Sequence, residues 1–161
     1  MDEQGLPRVE LRTDKKPAGG MNIYQAIPET IEFSRLVAPT GRVRTLGLGR
    51  VALSLEDKTG ELVGLRCYVK TGRWKTSEAE APPEPDAEGT LVIIHPSGEK
   101  DILFIPAEPR FVWHEESHSL RISFAMEIAL LFRVADCLLA GVDRKGRLTD
   151  IWMLDLDLSL V

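Results

Sequence analysis

Apolar and polar residues alternate with a period of two along most of this chain, which predicts strands rather than helices. From Leu62 to Lys70, Leu65, Cys67 and Val69 share one face, while Arg66, Tyr68 and Lys70 share the other. Near the C-terminus, Trp152, Leu154, Leu156, Leu158 and Leu160 alternate with Met153, Asp155, Asp157 and Ser159. The same pattern marks strands over 50–55, 91–95, 101–105, 111–114, 119–124, 135–142 and 147–160. Pro96-Ser97-Gly98-Glu99 and Glu115-Glu116-Ser117 read as hairpin turns between neighbouring strands. Two stretches are ambiguous. Over 22–36, either a helical turn near Glu29–Phe33 or a strand from Thr30 to Val37 fits, and 125–134 fits a short helix or one more strand, with composition favouring a helical turn through Met126, Glu127, Ala129 and Leu130.

Two hairpins look like copies of one unit. With Gly60 laid on Gly146, residues 51–69 run against 137–155, and Leu53/Leu139, Asp57/Asp143, Gly60/Gly146 and Leu62/Leu148 coincide at an offset of 86 residues. Each has an Asp-x-x-Gly turn, in which Asp bonds nearby backbone and Gly supplies the positive φ. The expected fold is mainly β, all-β or α+β with little helix, made of antiparallel sheets built from hairpins. Four regions are expected: a mobile arm over 1–20, a first hairpin region over 21–76, an acidic Pro-rich loop or linker over 77–89, and a second β region over 90–161.

Composition narrows the class. Hydrophobic content of 43% and charged content of 28% fit an ordinary globular protein with a buried core. No apolar run approaches the roughly 20 residues of a membrane helix, and the charged N-terminus predicts no signal peptide, so a cytoplasmic address and no membrane partner are expected. Cys67 and Cys137 lie in apolar runs and read as buried thiols rather than a disulfide. The net charge of −5 is uneven: residues 40–75 hold eight bases against three acids, whereas 77–90 hold five acids and no base. Such asymmetry marks a partner surface or two parts of one protein that attract each other.

Residues 113–122, W-H-E-E-S-H-S-L-R-I, and 143–154, D-R-K-G-R-L-T-D-I-W-M-L, carry a resemblance. The stretch from Arg110 to Leu156 resembles a family of short bacterial proteins of unknown function. Its pattern is Tyr-Asp-x-x-x-Asp-x-Leu-Tyr-Ile followed by an Asp-x-x-Gly-[Arg/Lys]-[Leu/Val]-x-Gly-Ile-Glu hairpin. Leu120, Ile122, Asp143, Gly146, Leu148, Ile151 and Leu154 match, while His114, His118 and Trp152 replace polar positions of the family. The resemblance implies a small β fold and carries no activity.

Candidate chemistry is sparse. His114-Glu115-Glu116-Ser117-His118 spells the H-E-x-x-H of zinc proteases, which requires a helix that the flanking strand pattern denies. If Glu115–Ser117 form a three-residue loop, His114 and His118 become cross-strand neighbours able to share a metal; otherwise they are turn histidines. A hydrolase of this kind would add His95 or a nearby Glu. The face carrying Arg66, Tyr68, Lys70, Arg73, Trp74 and Lys75 offers phosphate partners and stacking rings to nucleic acid, or protects a strand edge. Gly47-x-Gly49 reads as a tight strand turn rather than a phosphate cradle, and Asp155 with Asp157 as solvent-facing strand residues rather than a carboxylate pair. The leading expectation is a non-enzymatic interaction module without cofactor, homodimeric or bound to another protein. A nucleic-acid module using the basic strands and a metal-dependent hydrolase using His114 and His118 are the alternatives.

Overall fold

The structure is a computed structural model and describes residues 5–25, 29–69, 74–77, 82–94 and 102–156. It is mainly β, with fifteen strands among the described residues arranged in three sheets. The first sheet has six strands: β10 (Ile102–Ile105), β4 (Val43–Leu48), β5 (Val51–Glu56), β6 (Leu62–Tyr68), β3 (Thr30–Arg35) and β2 (Gly20–Gln25), in that spatial order. The second has seven: β7 (Lys75–Ser77), β11 (Arg110–His114), β12 (Ser119–Ser123), β15 (Leu148–Met153), β14 (Leu138–Val142), β13 (Leu130–Ala135) and β8 (Ala87–Glu88). A two-stranded pair, β1 (Arg8–Arg12) with β9 (Thr90–Ile94), joins them.

Alternation places every second residue of the larger sheets in one shared core. Leu46, Leu48, Leu53, Leu55, Leu65 and Cys67 face it from the first sheet, and Leu120, Ile122, Leu138, Ile151 and Met153 from the second. This core is continuous across the 77–89 segment, so the regions on either side of it pack as one body. β14 and β15 are buried at every position, because a smaller cluster of Leu131, Leu139 and Trp152 covers their other face.

The two Asp-x-x-Gly turns close β5–β6 and β14–β15, each an antiparallel hairpin and each in a different sheet. Gly60 and Gly146 have φ of 76° and 75°. Their aspartates differ. Asp143 accepts from the backbone N–H groups of Lys145 and Arg147, both at 2.9 Å, and from Arg147 Nε at 2.8 Å. Burial alone would raise its carboxyl, but these donors outweigh it and hold the group below its ordinary value. Asp57 instead pairs with Arg44, while the Gly60 N–H returns to Glu56 O at 2.8 Å.

Three expectations change. Residues 8–12, placed in a mobile arm, form β1, with Leu6 and Val9 in the core, because two apolar side chains suffice where a partner strand is waiting. The hairpin expected between 91–95 and 101–105 does not form: β9 pairs with β1 and β10 runs parallel to β4. Alternation reports which face is buried, not which strand lies alongside. Over 125–134 the favoured helical turn gives way to the strand alternative, with β13 over Leu130–Ala135, since pairing with β14 overrides local propensity. Over 22–36 the strand alternative from Thr30 corresponds to β3, and β2, which the sequence reading did not mark as a strand, pairs alongside it. The 96–99 turn and residues 157–160 lie outside the described residues.

The glycine turns differ in how closely they are packed, which separates the effects of one substitution. A Cβ on Gly60 would press on the Ile93 carbonyl, whereas one on Gly146 would meet only Val9 O, at 3.9 Å. Gly146→Ala is expected to cost about 1 kcal/mol, the left-handed penalty alone. Gly60→Ala adds a backbone clash, for about 3 kcal/mol. Urea unfolding midpoints of the two variants check the difference.

Candidate interaction surface

One face of the six-stranded sheet builds the core, and strand registry puts a very different set of side chains on its outer face. Ile23, Glu32, Arg66, Ala52, Gly47 and Phe104 lie in one row across the strands. Met21, Ser34, Gly64, Ser54 and Thr45 form the next. Solvated β faces are usually long and polar. This one has a floor of Ser, Thr, Ala and Gly, whose short side chains leave the pleated surface low. Glycine within a strand marks close approach of something to the backbone. Around that floor stand Met21, Ile23, Tyr68 and Phe104, between 40% and 65% exposed. The floor is concave: a groove of about 580 Å³ is lined by Ser34, Thr45, Ala52, Ser54 and Gly64.

The charges near the middle of this face are paired. Arg66 Nη2 donates to Glu32 Oε2 at 3.1 Å. Bonding to Tyr68 and then to Glu32 pushes the guanidinium above its already high ordinary value. Sequence reading found Arg66 and Tyr68 through their charge and aromatic character. It did not single out Met21, Ile23, Phe104 or the small-residue floor, whose only signal is small residues recurring opposite leucines in β4 and β5.

The basic segment is split by the fold. Arg66 and Tyr68 belong to this outer face, whereas Trp74 and Lys75 lie at the β7 edge of the other sheet, where Lys75 pairs with Val112. Lys70 and Arg73 lie outside the described residues, as does His95. Trp74 stacks on the buried Trp113, centroids 5.5 Å apart and planes 12° from parallel, so these rings face each other.

The histidines are also separated. His114 pairs with Ser119 in the ladder, so the loop is Glu115–His118, one residue longer than the three-residue expectation. His118, at φ 49°, takes the left-handed position that closes the turn. His114 is buried against Trp152, 4.9 Å between centroids, while the exposed His118 meets the edge of Trp113 at 6.2 Å. Trp113 and His114 are consecutive in β11 and point to opposite faces, so the two imidazoles are held on opposite sides of the sheet. Among the described residues no three His, Cys, Asp or Glu side chains converge as a metal-binding group. Asp155 is exposed at φ 52°, and Asp157 lies outside the described residues. Gly49, at φ 63°, forms the β4–β5 turn with Arg50, in line with the tight-turn reading of Gly47-x-Gly49.

Both cysteines are free and buried. Burial raises the Cys67 thiol far beyond its ordinary range. Burial, reinforced by the charges of Asp136 and Asp155, pushes Cys137 up to about 12. Both are therefore protonated and sheltered at neutral pH, and neither is a nucleophile. In a thiol-titration assay, neither is expected to react in the native protein, and both in denaturant. Rapid native labelling of either would contradict their placement. Among the described residues no helix is long and apolar enough to cross a membrane. Compared with known proteins, the chain matches no family model, and no curated protein is significantly similar to it.

Proposed function

We propose that this protein acts by binding rather than by catalysis, as a homodimer joined through the outer face of its six-stranded sheet. The observation that carries this reading is the outer face, uncovered among the described residues, with a small-residue floor and projecting apolar side chains at its borders. Exposed apolar side chains rimming a low floor of small residues give a second surface something to enter and something to hold. A second copy is the partner that fits. The projecting side chains of one copy find, on the other, a floor low enough to enter. Glu32 and Arg66 lie side by side, so a two-fold axis offers each a partner of opposite charge on the other copy. Arg66 is already engaged by Glu32 and Tyr68, which favours this reading over a nucleic-acid surface. Two sheltered thiols suit a reducing, cytoplasmic setting. The hairpin pairs β11–β12 and β14–β15 fit the kinship of residues 110–156 with short bacterial hairpin proteins, which belongs to the same proposal.

Sedimentation velocity tests it. The wild type is expected at twice its 17.9 kDa chain mass, with dissociation on dilution. Ser54→Lys, which plants a charge in the floor, is expected to be monomeric. Its melting temperature, measured on dilute samples where both proteins are monomers, should match the wild type, since the side chain points away from the core. A wild type that stays monomeric at every concentration, or a Ser54→Lys protein that still dimerises, would contradict the proposal.

A further inference from the structure

A second surface lies away from the open face and shares none of its lining. Between the β4–β5 turn and the β7 edge is a cleft of about 810 Å³. That is within the range of roughly 300–1,000 Å³ typical of small-molecule sites. Arg50, Lys75, Arg110 and Arg121 line it, and Glu108 is the one acid among its described lining residues. These cations come from four separate elements. Arg50 is brought in by the turn at Gly49, where a Cβ would strike the Ala107 carbonyl. Glycine there lets the 107–109 segment lie against the turn and form the cleft wall.

The cations differ in how they are held. Arg50 and Lys75 are exposed, and neither forms an ion pair among the described residues. Arg110 contacts the Met126 thioether through Nη2 at 2.9 Å. Arg121 is built in. Its Nε donates to Asp150 Oδ2 at 2.7 Å, and its guanidinium carbon lies 5.4 Å above the Trp152 ring. Asp150 has no exposed surface, and burial raises its carboxyl against the pull of Arg121. The bond to Asp150 uses only the inner nitrogen of the fork. The two Nη groups have no hydrogen-bond partner among the described residues, and Arg121 lines the cleft.

We propose that this cleft binds a small phosphorylated organic molecule, with its phosphoryl oxygens on the Arg121 fork and on Lys75, Arg110 and Arg50. A planar guanidinium fixed by a second-layer carboxylate matches the spacing of phosphoryl oxygens. Discounting Arg121 against Asp150 leaves three cations facing Glu108. One carboxylate would not balance that excess, whereas a phosphoryl group carries about −1.5 to −2 at neutral pH. In a chain of net charge −5, gathering cations in one cleft raises their mutual repulsion and focuses the field on an incoming anion. Val69, Pro109, Phe111 and Val112 supply an apolar wall for the rest of the molecule. A nucleic-acid strand is disfavoured, because the neighbouring Trp74 and Trp113 rings are occupied with each other rather than open to bases.

Calorimetry and thermal shift on the full chain, at low and moderate salt, test this with pyrophosphate, ATP and a short oligothymidylate as probes. Saturable binding of pyrophosphate or ATP is expected, with a rise in melting temperature that follows occupancy and shrinks with salt. ATP binding more tightly than pyrophosphate would show that the apolar wall is used, and equal binding that the phosphoryl group alone is read. The Arg50→Gln, Lys75→Gln double variant alters two exposed side chains. It should keep the unliganded melting temperature and lose binding by about tenfold or more. Lys58→Gln, a cation outside the cleft, should bind as the wild type does. Failure of both phosphates to bind, equal binding by the double variant, or binding of the oligothymidylate alone would overturn the proposal. Sedimentation of the same samples reads self-association separately, so loss of one property is not mistaken for loss of the other.

Discussion

The pairing of β1 with β9 holds the molecule together. Val9 sits opposite Ile93 in this short ladder, and each reaches outward to a hairpin tip. The Val9 N–H donates to Gly146 O and the Ile93 N–H to Gly60 O, both at 2.9 Å. The N-terminal strand thereby grips the tip of the β14–β15 hairpin, and β9 grips the tip of β5–β6. Leu148 N–H donating to Pro7 O at 2.8 Å extends the first grip. Val9, Gly60 and Ile93 are buried and Gly146 half-buried, and leaving a buried backbone group unbonded would cost about 1–3 kcal/mol. Positive φ at Gly60 and Gly146 turns their carbonyls outward to meet the clip. The two glycines therefore serve the junction as well as their own hairpins.

Once the sheets are joined, their exposed parts take on distinct characters. Among the described residues the six-stranded sheet keeps an outer face without a covering layer, floored by small residues. The seven-stranded sheet covers its second face with Leu131, Leu139 and Trp152, and Trp152 in turn supports Arg121. A buried carboxylate is expensive unless bonded to a cation, and among the described residues Asp150 satisfies that condition through Arg121 alone. The same bond that makes Asp150 tolerable immobilises a guanidinium at the cleft. Structure and site share one interaction there.

Much of the fold was legible from periodicity. The β5–β6, β11–β12 and β14–β15 hairpins follow from alternation around Asp, Gly or polar turns, and Cys67, Cys137, Trp113 and Trp152 are buried as their neighbours suggest. Partner choice was not legible. Nothing local in residues 8–12 announces that Val9 meets Ile93 more than eighty positions away, because long-range pairing is decided by burial of both strands together. The sites suffered from the same limit. Arg50, Lys75, Arg110 and Arg121 are scattered along the chain and converge only in three dimensions. The basic run that drew attention in sequence is divided between two surfaces. The H-E-x-x-H string is a turn whose histidines face apart.

Side-chain oxidative footprinting at high and low protein concentration is the most direct test of the central claim, that the open sheet face is the surface through which this protein associates. Met21, Tyr68 and Phe104 are solvent-accessible in the single chain, as is Met126, which is 76% exposed and lies away from that face. Methionine and aromatic side chains report access by their rate of oxidation. The account predicts that Met21, Tyr68 and Phe104 are protected at high concentration and become reactive on dilution, while Met126 reacts equally throughout. Equal reactivity of all four at every concentration would contradict it.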